Sequence, residues 1–325
     1  MGKILVTGAA GFIGAKVSEF LLDDGHSVIG IDDLNNTYDT RLKTYRLGRL
    51  TNREGFTFYQ ENISNLPALQ NIFNNQKNID GVINLAARAG VRSSVENPWI
   101  FLDTNMVGTL NMLEMCRQNG IKKFILASTS SIYGTNAPLP TPEDADSNHP
   151  LQPYSASKKG AEAICHSYHF LYDIDVTIFR YFTVYGPAGR PDMVMFRFCQ
   201  WINEGKPVLL NGDGEQSRGF TFVDDIARGT ILGLKPLGYE IINLGGHEVI
   251  TINEMIRQLE EKIGKKANIE RLPFHRADML TNWANIDKAC CMLGWEPVVT
   301  LQDGIQQLVD WYTEQRSWAS QVLTP

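Results

Sequence analysis

The chain has 325 residues, 43% of them apolar, which is enough for a large core and predicts two lobes. Its formal net charge of -6, with no basic run, excludes nucleic acid and anionic membrane surfaces as electrostatic partners. The longest apolar runs, such as residues 82–87, are too short to span a bilayer, and the N-terminal residues lead straight into a strand, so neither a membrane span nor a signal peptide is expected. Cys116, Cys165, Cys199, Cys290 and Cys291 are scattered and lack metal-ligand spacing. They predict a reduced, cytoplasmic protein without a metal. The adjacent Cys290 and Cys291 read as two small buried thiols on one helix, with a redox centre as the alternative.

In chain order, the apolar strand Lys3–Thr7 runs into Gly8-Ala9-Ala10-Gly11-Phe12-Ile13-Gly14 and then into an amphipathic helix to about Asp24. Glycines in that context let backbone N–H groups approach a pyrophosphate at the helix N-terminus. A second strand, residues 27–31, ends in Asp32, eighteen residues beyond Gly14. An acid there can bind both hydroxyls of an adenosine ribose and repels a 2'-phosphate, which favours NAD over NADP. The βα alternation continues with strands at 56–59, 81–85, 123–127 and 176–180. Helices are expected from Leu66, over about Trp99 to Gln118, and from Pro153 to about Tyr172. This pattern predicts an α/β fold, a doubly wound parallel (Rossmann) sheet with ligands at the carboxyl ends of its strands. Gly8, Asp32, Ala86, Ser128 and Tyr181 fall at those ends.

Tyr154 and Lys158 lie four apart on the expected helix, hence on one face. A fixed ammonium beside a phenol favours the phenolate, so Tyr154 is a candidate general base near neutral pH. Taken alone, the same spacing also fits an ordinary solvated helix.

After Tyr185 the regular alternation lapses. The expected division is an NAD-binding domain over 1–185, with returning segments near 219–246 and 281–286, and a smaller α/β substrate-binding lobe over 186–325.

The glycine loop, Leu85-Ala86-Ala87, Ser128-Thr129-Ser130-Ser131-Ile132-Tyr133-Gly134, Tyr154 with Lys158, and residues 180–187 together resemble the extended short-chain dehydrogenase/reductases over nearly the whole chain. Within them the chain is most similar to the nucleotide-sugar epimerases, and closest to the UDP-glucuronate 4-epimerases, on residues 89–93 and 186–193. The resemblance implies NAD as cofactor, a UDP-sugar as substrate and a homodimer formed by the helices of 99–118 and 154–172. It makes Tyr154 the base, Lys158 a ligand of the nicotinamide ribose and Thr129 the hydroxyl on the reacting sugar oxygen. Leu85, Ala86, Ala87 and Tyr181 fall on the cofactor side, and Asn105 supports the active-site segment. The adenine-contacting pair, usually Asp-Ile, is Asn62-Ile63 here, and an amide oxygen can still accept from the adenine amino group. Arg218 matches the diphosphate-binding arginine. Arg190 is a second candidate, whose alternative is an ion pair with Asp192. Asp278 matches a further substrate-side acid, although the arginine that accompanies it in relatives is displaced to Arg276.

The resemblance also separates reactions. The 4,6-dehydratases and UDP-glucuronate decarboxylases carry acids after the catalytic threonine, where this chain has Ser130 and Ser131. A serine cannot protonate a leaving hydroxyl at neutral pH. Oxidation and re-reduction at C4 remain, and Thr129, Ser130, Ser131 and Thr183 can hold a sugar carboxylate by neutral hydrogen bonds. A hydroxyl-rich turn capping the strand is the plainer alternative for one of the serines. The leading expectation is C4 epimerisation of UDP-glucuronate to UDP-galacturonate. The alternatives are a 4-epimerase of UDP-glucose or UDP-N-acetylglucosamine, and a catalytically silent NAD-binding regulator.

Overall fold

The first half of the chain alternates strand and helix as its sequence predicts. The structure is a computed structural model that describes residues 1–246, 248–273 and 281–324. Strand β1 (Lys3–Thr7) is followed by α1 (Phe12–Asp23), β2 (Ser27–Asp32), α2 (Thr40–Gly48), β3 (Phe56–Gln60), α3 (Leu66–Asn75) and β4 (Gly81–Asn84). Next come α4 (Val91–Glu96), α5 (Pro98–Leu102), a π-helical turn over Asp103–Val107, α6 (Gly108–Gln118) and β5 (Lys123–Thr129). A 3-10 turn over Ser130–Tyr133 leads to α7 (Pro153–Tyr172) and β6 (Asp175–Tyr181).

The second half supplies β7 (Thr183–Tyr185), α8 (Val194–Glu204), β8 (Pro207–Asn211), β9 (Ser217–Phe222), α9 (Val223–Leu232), β10 (Tyr239–Leu244) and β11 (Val249–Thr251). It closes with α10 (Ile252–Ile263), β12 (Asn268–Leu272), β13 (Thr281–Asn282), α11 (Asp287–Leu293), α12 (Leu301–Glu314) and α13 (Arg316–Ala319). Strands β10-β6-β5-β4-β1-β2-β3 form a seven-stranded sheet in that order, parallel throughout.

Alternate residues of a strand face opposite sides, so each strand feeds two cores. On one side Leu5, Ile29, Val82 and Phe124 pack with Leu69 and Phe73 of α3, Met112 of α6 and Ala161 of α7. On the other, Ile4, Val28, Ile83 and Ile125 pack with Val17 and Leu21 of α1 and Ile226 of α9. A third core, with Phe196, Trp201, Met255, Leu308 and Trp311, holds the substrate-side elements together.

Several expectations change. Of the segments expected to return, β10 joins the main sheet, and α9, Ile286 and α11 pack in its core, whereas β9 pairs with β7, β11 and β13 in a second sheet. The helix expected over 99–118 is present, running from Pro98 to Gln118 with helical backbone throughout and a π turn at Asp103–Val107. Cys290 and Cys291 do lie on a helix, α11, but both are exposed; the small hydrophobic faces of that helix are met by Ala289 and Leu293 instead. Cys116, Cys165 and Cys199 are buried. Among the described residues no helix is long and apolar enough to cross a membrane.

Candidate active site

The site lies along the carboxyl ends of the parallel strands, around the point where the chain order reverses between β1 and β4. Gly8 has φ +69°, and a Cβ on it would sit 2.9 Å from the Ala86 nitrogen. A Cβ on Gly11 or Gly14 would sit 2.8 Å or 2.1 Å from the Gly8 oxygen. Gly11 starts α1 with no side-chain cap, so the first-turn N–H groups over Phe12, Ile13 and Gly14 point into a cradle that any side chain would fill. The cradle fits a pyrophosphate. Thr7 fixes its far wall: its hydroxyl donates to Asn84 Oδ1 (2.6 Å) and accepts from the Ala86 N–H (3.0 Å), aligning Leu85, Ala86 and Ala87.

Asp32, at the end of β2, is buried and accepts from the N–H groups of Ala10 (3.2 Å) and Leu34 (2.9 Å). It also pairs with the buried ammonium of Lys43 at 3.0 Å. The carboxylate is therefore partly neutralised, and its repulsion of a neighbouring anion is weaker than that of a bare carboxylate. Asn62 Oδ1 accepts from the N–H (2.9 Å) and hydroxyl (2.7 Å) of Ser64, so it is already engaged in its own turn. Ile63 is buried, and its carbonyl accepts from Asn111 Nδ2. Asn105, in the π turn, accepts from the Arg88 N–H (2.9 Å) and donates to the Arg88 carbonyl (3.0 Å) and the Ser157 hydroxyl (2.9 Å). It thereby ties the loop after β4 to α7. Tyr181 points its hydroxyl at Thr230 on α9 (2.8 Å), which leaves only its backbone to face the cofactor side.

Tyr154 and Lys158 sit on the first turns of α7, with Tyr154 edge-on to Phe101 (6.2 Å between ring centres). Burial pushes the Tyr154 phenol up, while a hydrogen bond from Thr129 and the charge of Arg190 pull it back. Lys158 is buried, and burial pushes its ammonium down to about 8 against the opposing charge of Glu162. The sequence expectation thus needs correction. In the protein alone the cation acting on the phenol is Arg190, and burial outweighs it.

Thr129 ends β5 and caps the following turn, accepting from the Ser131 N–H (3.2 Å) and donating to the Ser131 hydroxyl (3.2 Å). Ser130 is buried and accepts from Asn282 Nδ2 on β13 (3.1 Å). Of these hydroxyls, it is that of Thr129 which also reaches Tyr154. Thr183 begins β7, which pairs with β9, where Arg218 donates to the Ser217 carbonyl (2.7 Å). Arg190 does pair with Asp192 (Nε to Oδ1, 3.0 Å) and also donates to the Ala89 carbonyl (3.1 Å). Asp278 lies outside the described residues.

Sequence reasoning missed Arg46. Buried on α2, its guanidinium donates to the carbonyls of Ala188 (2.9 and 2.6 Å), Gly189 (3.2 Å) and Ala10 (3.3 Å), and to the Tyr38 hydroxyl (2.7 Å). It joins the glycine loop to the loop that carries Arg190. Among the described residues, no group of three His, Cys, Asp or Glu is placed to hold a metal ion.

The pattern of the NAD dependent epimerase/dehydratase family matches residues 4–245. The chain belongs to that family. Among the family's curated members, a UDP-glucuronate 4-epimerase of Thermodesulfobacterium geofontis is 55% identical over 315 residues, 97% of each chain. Among solved structures, the UDP-glucuronic acid 4-epimerase of Bacillus cereus in complex with UDP-glucuronic acid and NAD superposes with a TM-score of 0.89 at 38% identity, covering 96% of this chain and 99% of that one. The UDP-glucose 4-epimerase of Thermotoga maritima with UDP-glucose gives a TM-score of 0.90 at 33% identity, covering 97% and 99%.

Proposed function

We propose that this chain is an NAD-dependent epimerase that inverts C4 of UDP-glucuronate to give UDP-galacturonate. The observation that carries this reading is the hydroxyl run Thr129–Ser131 at the tip of β5, set beside Tyr154 with no carboxylate following the threonine. The 55% identity to a UDP-glucuronate 4-epimerase supports it.

Gly8, Gly11, Gly14 and the first turn of α1 hold the cofactor pyrophosphate, Asp32 the adenosine ribose and Lys158 the nicotinamide ribose. When bound, NAD would supply the acceptor for the C4 hydrogen and its return, and the 4-keto sugar turns over between the two so that the hydrogen comes back on the opposite face. Tyr154 takes the proton of the 4-hydroxyl and later gives it back, with Thr129 bonded to the same oxygen. The charge of Arg190 favours the phenolate that this requires. The 4-keto uronate is a β-keto acid, and it loses carbon dioxide if its carboxylate bond aligns with the carbonyl π system. Thr129, Ser130, Ser131 and Thr183 hold the carboxylate out of that alignment, and Asn282 fixes Ser130. Arg218 holds the diphosphate.

We assign residues 1–185, with α9 and β10, to the cofactor side and most of 186–325 to the nucleotide sugar. The protein works as a homodimer through α5, α6 and α7, and its free thiols fit a cytoplasmic reaction that feeds uronic acid units to polysaccharide synthesis. The test is incubation of the purified protein with UDP-glucuronate and NAD, read by proton NMR. UDP-galacturonate is the expected product; a 4-keto-pentose as the main product, or no conversion, overturns the proposal.

A further inference from the structure

Helix α7 carries a third polar residue at the spacing of Tyr154 and Lys158. Glu162 lies one turn beyond the lysine, and it and Arg180 on β6 are each 2% exposed. The guanidinium grips both carboxylate oxygens, Nε to Oε1 at 3.0 Å and Nη2 to Oε2 at 2.8 Å. The Ser128 hydroxyl donates to Oε1 at 2.6 Å. Nη1 of Arg180 donates to the Tyr133 hydroxyl (2.9 Å) and the Glu143 carbonyl (2.9 Å), and Tyr133 donates to Asn243 (2.8 Å). One network thus joins the residue before Thr129, the end of the Ser130–Tyr133 turn and the helix of the catalytic pair.

Packing alone does not call for charge there, because a buried ion pair is often no more stabilising than apolar residues of the same volume. Lys158, 3% exposed, makes no hydrogen bond to a described residue, and Glu162 is the carboxylate whose charge reaches it. The other groups around the pair are the thiols of Cys116 and Cys165 and the phenols of Tyr133 and Tyr239, pushed up by burial and therefore uncharged, the Glu143 carboxylate, which accepts from the Asn243 N–H (2.8 Å), and the His166 ring edge-on to Tyr239 (5.0 Å between ring centres). Lys159, half-buried, stands 3.6 Å from Glu162 Oε2.

We propose that the Glu162–Arg180 pair is a positioning device that sets the charge of the catalytic lysine, with Glu162 holding the Lys158 ammonium protonated beneath Tyr154 and Arg180 fixing and moderating that carboxylate. It rests on the roles given above to Tyr154 and Lys158. The two partners then have opposite effects. Glu162→Gln leaves cations around Lys158 and moves its titration down by about one pH unit or more. Arg180→Met leaves the carboxylate uncompensated and moves it up by a similar amount.

The readouts are the alkaline limb of the pH–rate profile of the holoenzyme and, independent of turnover, the titration of the Lys158 Cε resonance in carbon-13 lysine-labelled protein. A buried charge left alone can unfold a chain, so Glu162→Gln/Arg180→Met, which leaves neither charge, is a third arm. Its titration returns to within about half a unit of wild type. Shifts in the same direction in both single variants, no shift in either, or a double variant displaced as far as a single one overturns the proposal. A wild type inactive on UDP-sugars contradicts the proposed function instead, and the resonance titration still decides the role of Glu162.

Discussion

Tyr154 is acted on from three sides: burial favours its neutral form, while Thr129 and Arg190 favour the phenolate. Tyr154→Phe keeps the ring and its edge-on contact with Phe101 but removes the proton carrier. Epimerisation should fall by roughly 10²–10⁴-fold with the melting temperature unchanged. Steady-state kinetics within a few-fold of wild type would remove Tyr154 from the chemistry. Lys158 sets a pH limit with a definite sign. Its ammonium is pushed down to about 8, so as pH rises through that value the lysine loses the charge with which, in the proposed function, it holds the nicotinamide ribose. Activity should decline on the alkaline side of pH 8, and a rate still rising there contradicts the assignment. The pairing of Tyr154 with Lys158 on one face was legible from helix spacing, and Thr129 from the family resemblance alone. The direction of the Tyr154 shift was not, since burial and the approach of Arg190 are tertiary facts.

At the scale of elements, α2 connects the two halves of the site, yet its sequence gives no amphipathic signal because Lys43 and Arg46 share its buried face with Leu42. Periodicity finds apolar stripes, and a helix that buries its cations escapes it. Arg46→Met should leave the carbonyls of Ala188, Gly189 and Ala10 without their donor, at a cost of about 1–3 kcal/mol. The melting temperature falls, and KM for the UDP-sugar rises more than kcat drops, because the loop carrying Arg190 loses its tie. Unchanged melting and KM contradict that role. The main-sheet strands were readable because strands buried on both faces are continuous apolar runs. The second sheet was not, since β7, β11 and β13 have only three, three and two residues and are defined by their pairing with β9. The π turn between α5 and α6 was equally hidden. It depends on Asn105 bonding outward to Arg88 and Ser157.

Across the whole molecule, the outer faces of α5, α6 and α7 leave Trp99 (77%), Phe170 (76%), Leu171 (62%) and Leu110 (37%) exposed. Exposed large apolar side chains on these helices are what the proposed dimer would cover. Sedimentation at micromolar concentration should show a dimer, and Trp99→Glu with Phe170→Glu should give a folded monomer; a wild-type monomer removes the proposed assembly. The proposed site suits a sugar acid. If Thr129, Ser130, Ser131 and Thr183 hold the carboxylate as proposed, a hydroxymethyl in its place leaves donors unpaired, at about 1–3 kcal/mol for each. Two such losses amount to roughly a hundredfold, since ~1.4 kcal/mol is tenfold. The most direct measurement is competition in one tube, with equal UDP-glucuronate and UDP-glucose followed by NMR to give the ratio of kcat/KM. UDP-galacturonate should form roughly a hundredfold faster than UDP-galactose, and equal rates would contradict the account.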